Sequence, residues 1–259
     1  MITGIGPEKI WAVIPAAGTG SRMMEALKQP EYDDIRRMLG QPQKKQFIHL
    51  GDKELLVYTL EAFQNCPSVS GIVLVTGKED LTHCKDLVAS NDLDKVKKII
   101  PGGSRRQESV LIGLSSLPKD CTMAVIHDGA RPFIDIDIIE KTIEAAARSG
   151  GAIAAVPVKD TIKIVSRGKV ESTPDRSRLY SAQTPQAFRY PDILEGYRHA
   201  AVMGDFRCTD DAQVMEKYMD TDIEIVEGSY ENIKITTPDD LKMADQILRS
   251  RQRLEESRA

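Results

Sequence analysis

The sequence predicts an α/β protein built on a mostly parallel sheet with covering helices, and three observations predict it. Short apolar runs rich in β-branched residues alternate with stretches of helical spacing along the chain. A Gly-rich turn, Ala16-Ala17-Gly18-Thr19-Gly20-Ser21-Arg22, directly follows the first of those runs. With 259 residues, 41% of them hydrophobic, the chain suits one large domain. A domain of that size buries roughly three quarters of its unfolded surface and needs no disulfide or metal staple to fold.

The elements follow in order. Trp11 to Pro15 reads as the first strand. Leu55 to Phe63 has helical spacing, and Ile72 to Thr76 is the second strand. Leu81, Cys84, Leu87 and Val88 share a helical face. Val96 to Ile100 is a third strand, ending at Pro101-Gly102-Gly103, and Val110, Leu111, Leu114 and Leu117 form the next helical stripe. Met123 to His127 is a fourth strand. Asp135 is placed to cap a helix that runs through Ala147 and stops at Gly150-Gly151. Ile153 to Val156, Ile223 to Val226 and Asn232 to Thr236 read as later strands. Thr237 reads as the cap of a last helix, with Pro238 at its first position and Asp240 as a capping-box acid. The charged tail from Arg249 reads as a solvated helix end.

Two segments interrupt the alternation. Residues 23–44 are charged and poorly apolar, an insertion after the first turn. Residues 157–179 alternate polar and apolar side chains around Gly168, which reads as a β-hairpin arm leaving the sheet. Such an arm has too little core to stand alone, so a second subunit is expected against it.

Composition excludes several classes. Lys plus Arg total 35 and Asp plus Glu 39, a net charge of −4. That balance gives no reason to expect nucleic acid or an anionic membrane as a partner, so an anionic ligand needs locally placed cations. The four cysteines, Cys66, Cys84, Cys121 and Cys208, form no CxxC pair and read as reduced, mostly buried thiols. No apolar run reaches the roughly 18 residues a membrane span requires. The run from Ile10 to Ala17 is broken by Pro15 and reads as a buried strand, not a signal core. A cytoplasmic protein is expected.

Candidate chemistry lies in the turns. Small residues at Ala16, Ala17 and Gly18 let backbone N–H groups approach a phosphate, and Arg22 adds a fixed charge. The turn lacks the third glycine of a dinucleotide fingerprint, since Met23 stands there, and no GK[ST] follows as a Walker loop needs. Lys44-Lys45 could reach anionic oxygens near that turn, although a solvated pair is the commoner fate of lysine. Gly102 and Gly103 sit at a strand's carboxyl end, the edge where open α/β sheets bind ligands, with Ser109 placed to hydrogen-bond a base. Asp128, after the fourth strand, could face a ribose or a metal, or simply cap the next turn. His127 could equally be a satisfied core histidine. Asp160-Thr161, Asp175-Arg176 and Asn232-Ile233-Lys234 each read alone as surface polarity.

Taken together, PAAGTGSRM, KQF, GGSRRQESV, HDGARPF, PVKDTIK, TPDR, QTPQAF, TDDA and ENIKITTPDDL, in that order, resemble the 2-C-methyl-D-erythritol 4-phosphate cytidylyltransferase family, from Val13 to about Leu248. The resemblance implies a Rossmann-like nucleotide-diphospho-sugar transferase fold with a mixed sheet. It implies a homodimer interlocked by the arm, and transfer of the cytidylyl group of CTP to a polyol phosphate with Mg²⁺. Arg22 and Lys45 match the pair that stabilises the transition state. Arg176 and Lys234 match the pair that holds the substrate phosphate, with Arg176 able to act across the dimer. Thr161, Arg131 and Asp128 match further substrate-side positions. Ala16, Ala17, Gly18, Gly103, Ser109 and Asp128 match the CTP pocket, and Asp128 is the candidate metal ligand. Arg22 and Lys45 are separated by 22 residues, more than the family usually shows. Lys28-Gln29 fits a short gap, but only Lys45 is followed by the matching LGDKELLVYTLEAF.

A phosphate monoester has a second pKa near ~6 and is already an ionised nucleophile at neutral pH. No general base is then required, and the obstacle is bringing two polyanions together. A ribitol 5-phosphate cytidylyltransferase is the nearest alternative. An NAD(P)-binding oxidoreductase and a non-catalytic nucleotide-binding protein stand further off.

Overall fold

The computed structural model describes residues 9–39 and 44–257. The chain enters through strand β1 (Ile10–Ala16) and passes into a short helix α1 (Ser21–Ala26), a 3₁₀ turn at Pro30–Tyr32 and α2 (Asp33–Leu39). A 3₁₀ turn at Lys45–Phe47 leads to the two-residue strands β2 (His49–Leu50) and β3 (Lys53–Glu54). Then follow α3 (Leu55–Asn65), β4 (Val69–Thr76), α4 (Leu81–Ser90), β5 (Val96–Pro101), α5 (Arg106–Ser115), β6 (Met123–Ile126), α6 (Ile136–Ser149) and β7 (Gly151–Pro157). The arm carries β8 (Ile164–Ser166) and β9 (Lys169–Ser172). The chain closes with β10 (Tyr180–Arg189), α7 (Tyr190–Val202), α8 (Asp211–Tyr218), β11 (Ile223–Glu227) and α9 (Pro238–Glu256).

Seven strands form the main sheet in the order β11-β7-β10-β6-β1-β4-β5. All pairs are parallel except those of β10, which runs antiparallel to both β6 and β7. The sheet is therefore mixed and mostly parallel. Strand periodicity builds its two faces. Ala12 and Ile14 of β1 join Leu56, Leu60, Phe63 and Ile139 in one core. Val13, between them, joins Val110, Leu114, Ile193, Tyr197 and Met215 in the other. Helices α3, α4 and α6 cover the first face, and α5, α7 and α8 the second.

Several expectations are corrected here. Asn232 to Thr236 is not a strand. Its polar groups go to the ends of the sheet instead: the Ile235 N–H donates to the Ala130 carbonyl, and the Asn232 side-chain amide donates to the Thr184 carbonyl. The segment thus crosses over the strand ends and carries Lys234 there. Asp135 does precede α6, but its carboxylate makes no cap and pairs with Arg251 at 3.0 Å. Arg251 also pairs with Glu231, so this part of the tail is not simply solvated. In α9 the Asp240 carboxylate accepts from the backbone N–H groups of Thr236 and Thr237, as a capping acid should. Strand β10 and helices α7 and α8 lie between residues 180 and 218, where the sequence analysis assigned no element and noted only the strings QTPQAF and TDDA. Pro185 sits inside β10, and the register of β10 against β7 shifts between Ala182 and Gln186, which takes the proline out of the ladder.

Residues 23–39 are not a bare surface excursion. Met23, Leu27 and Ile35 are buried in a third cluster with Ile48, Leu55, Phe133, Leu241 and Leu248, which docks this segment on α9. The Tyr32 hydroxyl donates to Asp239 of α9 at 2.7 Å. Residues 40–43 of the expected insertion lie outside the described residues. The arm is a two-stranded hairpin turning at Arg167-Gly168, both in the left-handed region. Ile164, Val165 and Val170 on it are exposed. Cys66, Cys84 and Cys121 are buried and Cys208 partly so, all as free thiols. Burial pushes Cys66 and Cys121 up to about 12, so neither is a nucleophile at neutral pH.

Candidate active site

The site sits at the carboxyl ends of the parallel strands, where loops after β1, β5 and β6 converge. Two glycines set the approach. Gly20 has φ +71 and starts α1, and a Cβ there would stand 3.3 Å from the Lys45 backbone nitrogen. Gly102 faces the β1 loop, where a Cβ would meet Ser109 Oγ at 2.6 Å and Ala17 Cβ at 2.7 Å. No other residue fits between these two loops.

They enclose a cavity of about 220 Å³. Ala16, Ala17, Gly18, Arg22, Lys45, Gly103, Ser109, Asp128 and Lys234 all line it, as do Arg105 and Arg106. Groups from distant stretches thus meet at one place. The two lysines before Phe47 part company: Lys44 pairs with Glu79 and Asp80, whereas Lys45 enters the cavity and donates to the Ile235 carbonyl at 3.0 Å. Lys28 points elsewhere, paired with Glu25 on the surface. The Ser109 hydroxyl accepts from the Gly103 N–H and donates to the Arg105 carbonyl, so it holds the β5 loop in shape.

Asp128 is the single acidic residue among the described residues of the lining. Its Oδ1 accepts from Arg106 Nε at 2.9 Å, and its Oδ2 lies 2.8 Å from Lys234 Nζ and 3.8 Å from Arg131 Nε. Burial pushes this carboxyl up, but Arg106, Lys234 and Arg131 outweigh it and hold it well below the usual range. Burial pulls the Lys45 ammonium down, and Lys234 and Arg22 add to this despite Asp128, bringing it to about 8. The excess positive charge is costly in the free protein and complements a polyanion.

His127 is a core histidine. Its Nε2–H donates to the Arg131 carbonyl and its Nδ1 lies 3.1 Å from the Thr184 hydroxyl, which in turn accepts from the Asp128 N–H. Burial lowers it to about 4, so it stays neutral and holds the Asp128 loop. Arg131 does not line the cavity. It lies half-buried beneath, with Nη1 donating to the Asn232 carbonyl at 2.7 Å, and fastens the segment that carries Lys234. Thr161 and Arg176 lie on the exposed arm, outside the cavity of their own chain. Arg176 Nη1 donates across the arm to the Lys159 carbonyl. Arg106 was not singled out in the sequence. The neighbouring Arg105 and a run of polar residues hid it, and its partner Asp211 is 105 positions away.

A larger cavity of about 570 Å³ lies between α2, β2 and α9, with Ile35, Leu39, Ile48 and Leu241 in its walls. The Lys242 and Arg249 side chains that line it pair along α9 with Asp239 and Asp245. It lacks a convergence of cations.

A Rossmann-like mixed sheet with a cation-lined cleft beside its first Gly-rich turn defines a nucleotidyltransferase. The family model described as 2-C-methyl-D-erythritol 4-phosphate cytidylyltransferase matches residues 10–250, and the chain belongs to that family. The enzyme of that name from Desulforamulus reducens is 43% identical over 244 residues, covering 93% of this chain and 97% of its own. That from Alkaliphilus oremlandii is 41% identical over 94% of this chain and 96% of its own. Among solved structures, the 4-diphosphocytidyl-2C-methyl-D-erythritol synthase of Anaerococcus prevotii superposes with a TM-score of 0.79 at 31% identity, covering 95% of this chain and 98% of its own. Among the described residues, no helix is long and apolar enough to cross a membrane.

Proposed function

We propose that this chain transfers the cytidylyl group of CTP to 2-C-methyl-D-erythritol 4-phosphate, releasing pyrophosphate, as the names of its family and relatives indicate. The observation that carries the reading is the meeting of Arg22, Lys45, Arg106 and Lys234 around Asp128 in one cavity at the strand ends. A phosphate oxygen of the polyol phosphate attacks the α-phosphorus of CTP in line, and the bond to the β,γ-pyrophosphate breaks. The nucleophile is ionised at neutral pH, and no histidine, cysteine or tyrosine lines the cavity among the described residues. The protein's part is electrostatic. Arg22 and Lys45 face the triphosphate and the charge developing on the leaving pyrophosphate, and Lys234 receives the incoming phosphate.

Mg²⁺ fits this donor set in one form only. With Asp128 as the lone carboxylate among the described residues of the lining, and that one shared by Arg106 and Lys234, the ion would rest mainly on phosphate oxygens. When bound it supplies further neutralisation of the triphosphate. Among the described residues, no group of three or more His, Cys, Asp or Glu side chains could hold a metal ion, which supports the same reading.

The exposed apolar residues of the arm support a homodimer, with Arg176 and Thr161 delivered to the partner's cavity. A cytoplasmic location and the absence of nucleic-acid partners belong to the same reading. Pyrophosphate release, measured with CTP and a panel of polyol phosphates, tests the function. Turnover is expected with the erythritol phosphate and to vanish on chelation, returning with Mg²⁺. No release with any polyol phosphate would refute the reading.

A further inference from the structure

The most deeply placed carboxylate of the site is Asp211, in the first turn of α8. It is fully buried, with 0% exposure, and does not line the cavity. Both its oxygens are held by one guanidinium: Arg106 Nη1 donates to Oδ1 at 2.9 Å and Nη2 to Oδ2 at 2.8 Å. The Tyr197 hydroxyl donates to Oδ1 as well. The Asp211 N–H donates to Gln186 Oε1 of β10, which anchors the residue to the sheet.

A guanidinium presents its N–H groups in a rigid planar fork. With Nη1 and Nη2 taken by Asp211, the direction of Nε is determined, and it reaches Asp128 Oδ1 at 2.9 Å. Asp128 keeps Oδ2 for Lys234 at 2.8 Å. A chain of alternating charge therefore runs from the core to the cavity: Asp211, Arg106, Asp128, Lys234. Without the Asp211 charge, Arg106 would have Asp128 as its remaining carboxylate. The fork would then turn to grip both Asp128 oxygens, in competition with Lys234.

We infer that Asp211 is a positioning residue for the transfer: by fixing both arms of the Arg106 fork it leaves Asp128 an oxygen free to hold the Lys234 ammonium where the incoming phosphate arrives. The inference rests on the cytidylyltransferase reading above.

Asp211→Asn keeps the shape and removes the charge. In the pyrophosphate-release assay it is expected to lower kcat/KM for the polyol phosphate about tenfold, the middle of the range for coupled neighbours. Equilibrium affinity for CTP should change by less than about twofold, a split that a general loosening of the fold would not produce. In a Lys234→Gln background the same substitution should cost no more than about twofold, because no ammonium remains to be placed. An equal loss in both backgrounds, or no loss in the first, overturns the inference. Should Asp211→Asn fail to fold, Tyr197→Phe keeps every charge and removes one hydrogen bond to Asp211. It should show a smaller loss with the same dependence on Lys234, and independence from Lys234 overturns the inference. A wild-type chain inactive in this assay overturns the functional reading and this inference with it.

Discussion

Lys45 allows stability and catalysis to be separated. Its ammonium is held at about 8 against an ordinary 10.5, by burial first and then by Lys234 and Arg22. A lysine kept charged at pH 7 against such a shift costs the folded chain about 3 kcal/mol. Lys45→Met keeps the apolar stem and removes the charge. It also loses the bond to the Ile235 carbonyl, worth about 1 kcal/mol. The variant should be more stable by about 2 kcal/mol, raising Tm by roughly 4–8 °C for a chain of this size. Turnover should fall about 10²- to 10³-fold, as on losing an oxyanion donor. The sign of the pH dependence follows. Below pH 8 the wild-type fold carries the whole cost. Between about 8 and 10.5 the unfolded chain still binds a proton that the folded chain has released, so wild-type stability rises with pH and the gap to the variant closes. Melting by calorimetry at pH 7 and pH 10, beside pyrophosphate release, checks both halves. A variant that melts below wild type at pH 7, or turns over normally, refutes the argument.

Asp128→Asn leaves Lys234 and Arg131 without their anion, while Arg106 keeps Asp211, and should cost about 3–5 kcal/mol in urea unfolding at pH 7. Because its folded pKa is depressed, this stabilisation is complete above the ordinary carboxylate value and fades as pH falls through the folded one, so the two chains should converge in strong acid. If the arm delivers Arg176 to the partner's site, mixing unfolded Arg176→Ala and Lys234→Ala chains and refolding them should restore about a quarter of wild-type activity. Half the dimers are then mixed, and one of their two sites is complete. No recovery would assign both residues to one chain's site. Arg22→Ala should lower kcat by about 10²-fold or more, while the affinity for the polyol phosphate, measured by equilibrium binding, stays near wild type.

Much of the site was legible because its parts are local. A Gly-rich turn after a buried strand, two glycines ending β5 and an acid ending β6 each announce a strand's carboxyl edge, and a parallel sheet brings such edges together. The arm was legible for the same reason, since period-two alternation around Gly168 is a property of the hairpin itself. Strand β10 was hidden because its central Gln-Thr-Pro-Gln is polar and its pairing rests on a register shift set by its neighbours. The segment carrying Lys234 was read as a strand because apolar alternation does not distinguish a ladder partner from an extended crossing.

The sequence by itself determined the α/β alternation, the strand ends that would bear chemistry and the family to which the chain belongs. Only the tertiary structure set Lys44 on Glu79 and Asp80 and turned Lys45, which the family motif already favoured, into the cavity. It also placed Arg131 beneath the site and joined both oxygens of Asp211 to Arg106. Helical and strand periods are dictated by neighbours a few residues apart, so they are written in the chain. Which cation shares which buried carboxylate depends on distances between groups a hundred positions apart, and folding alone sets those distances.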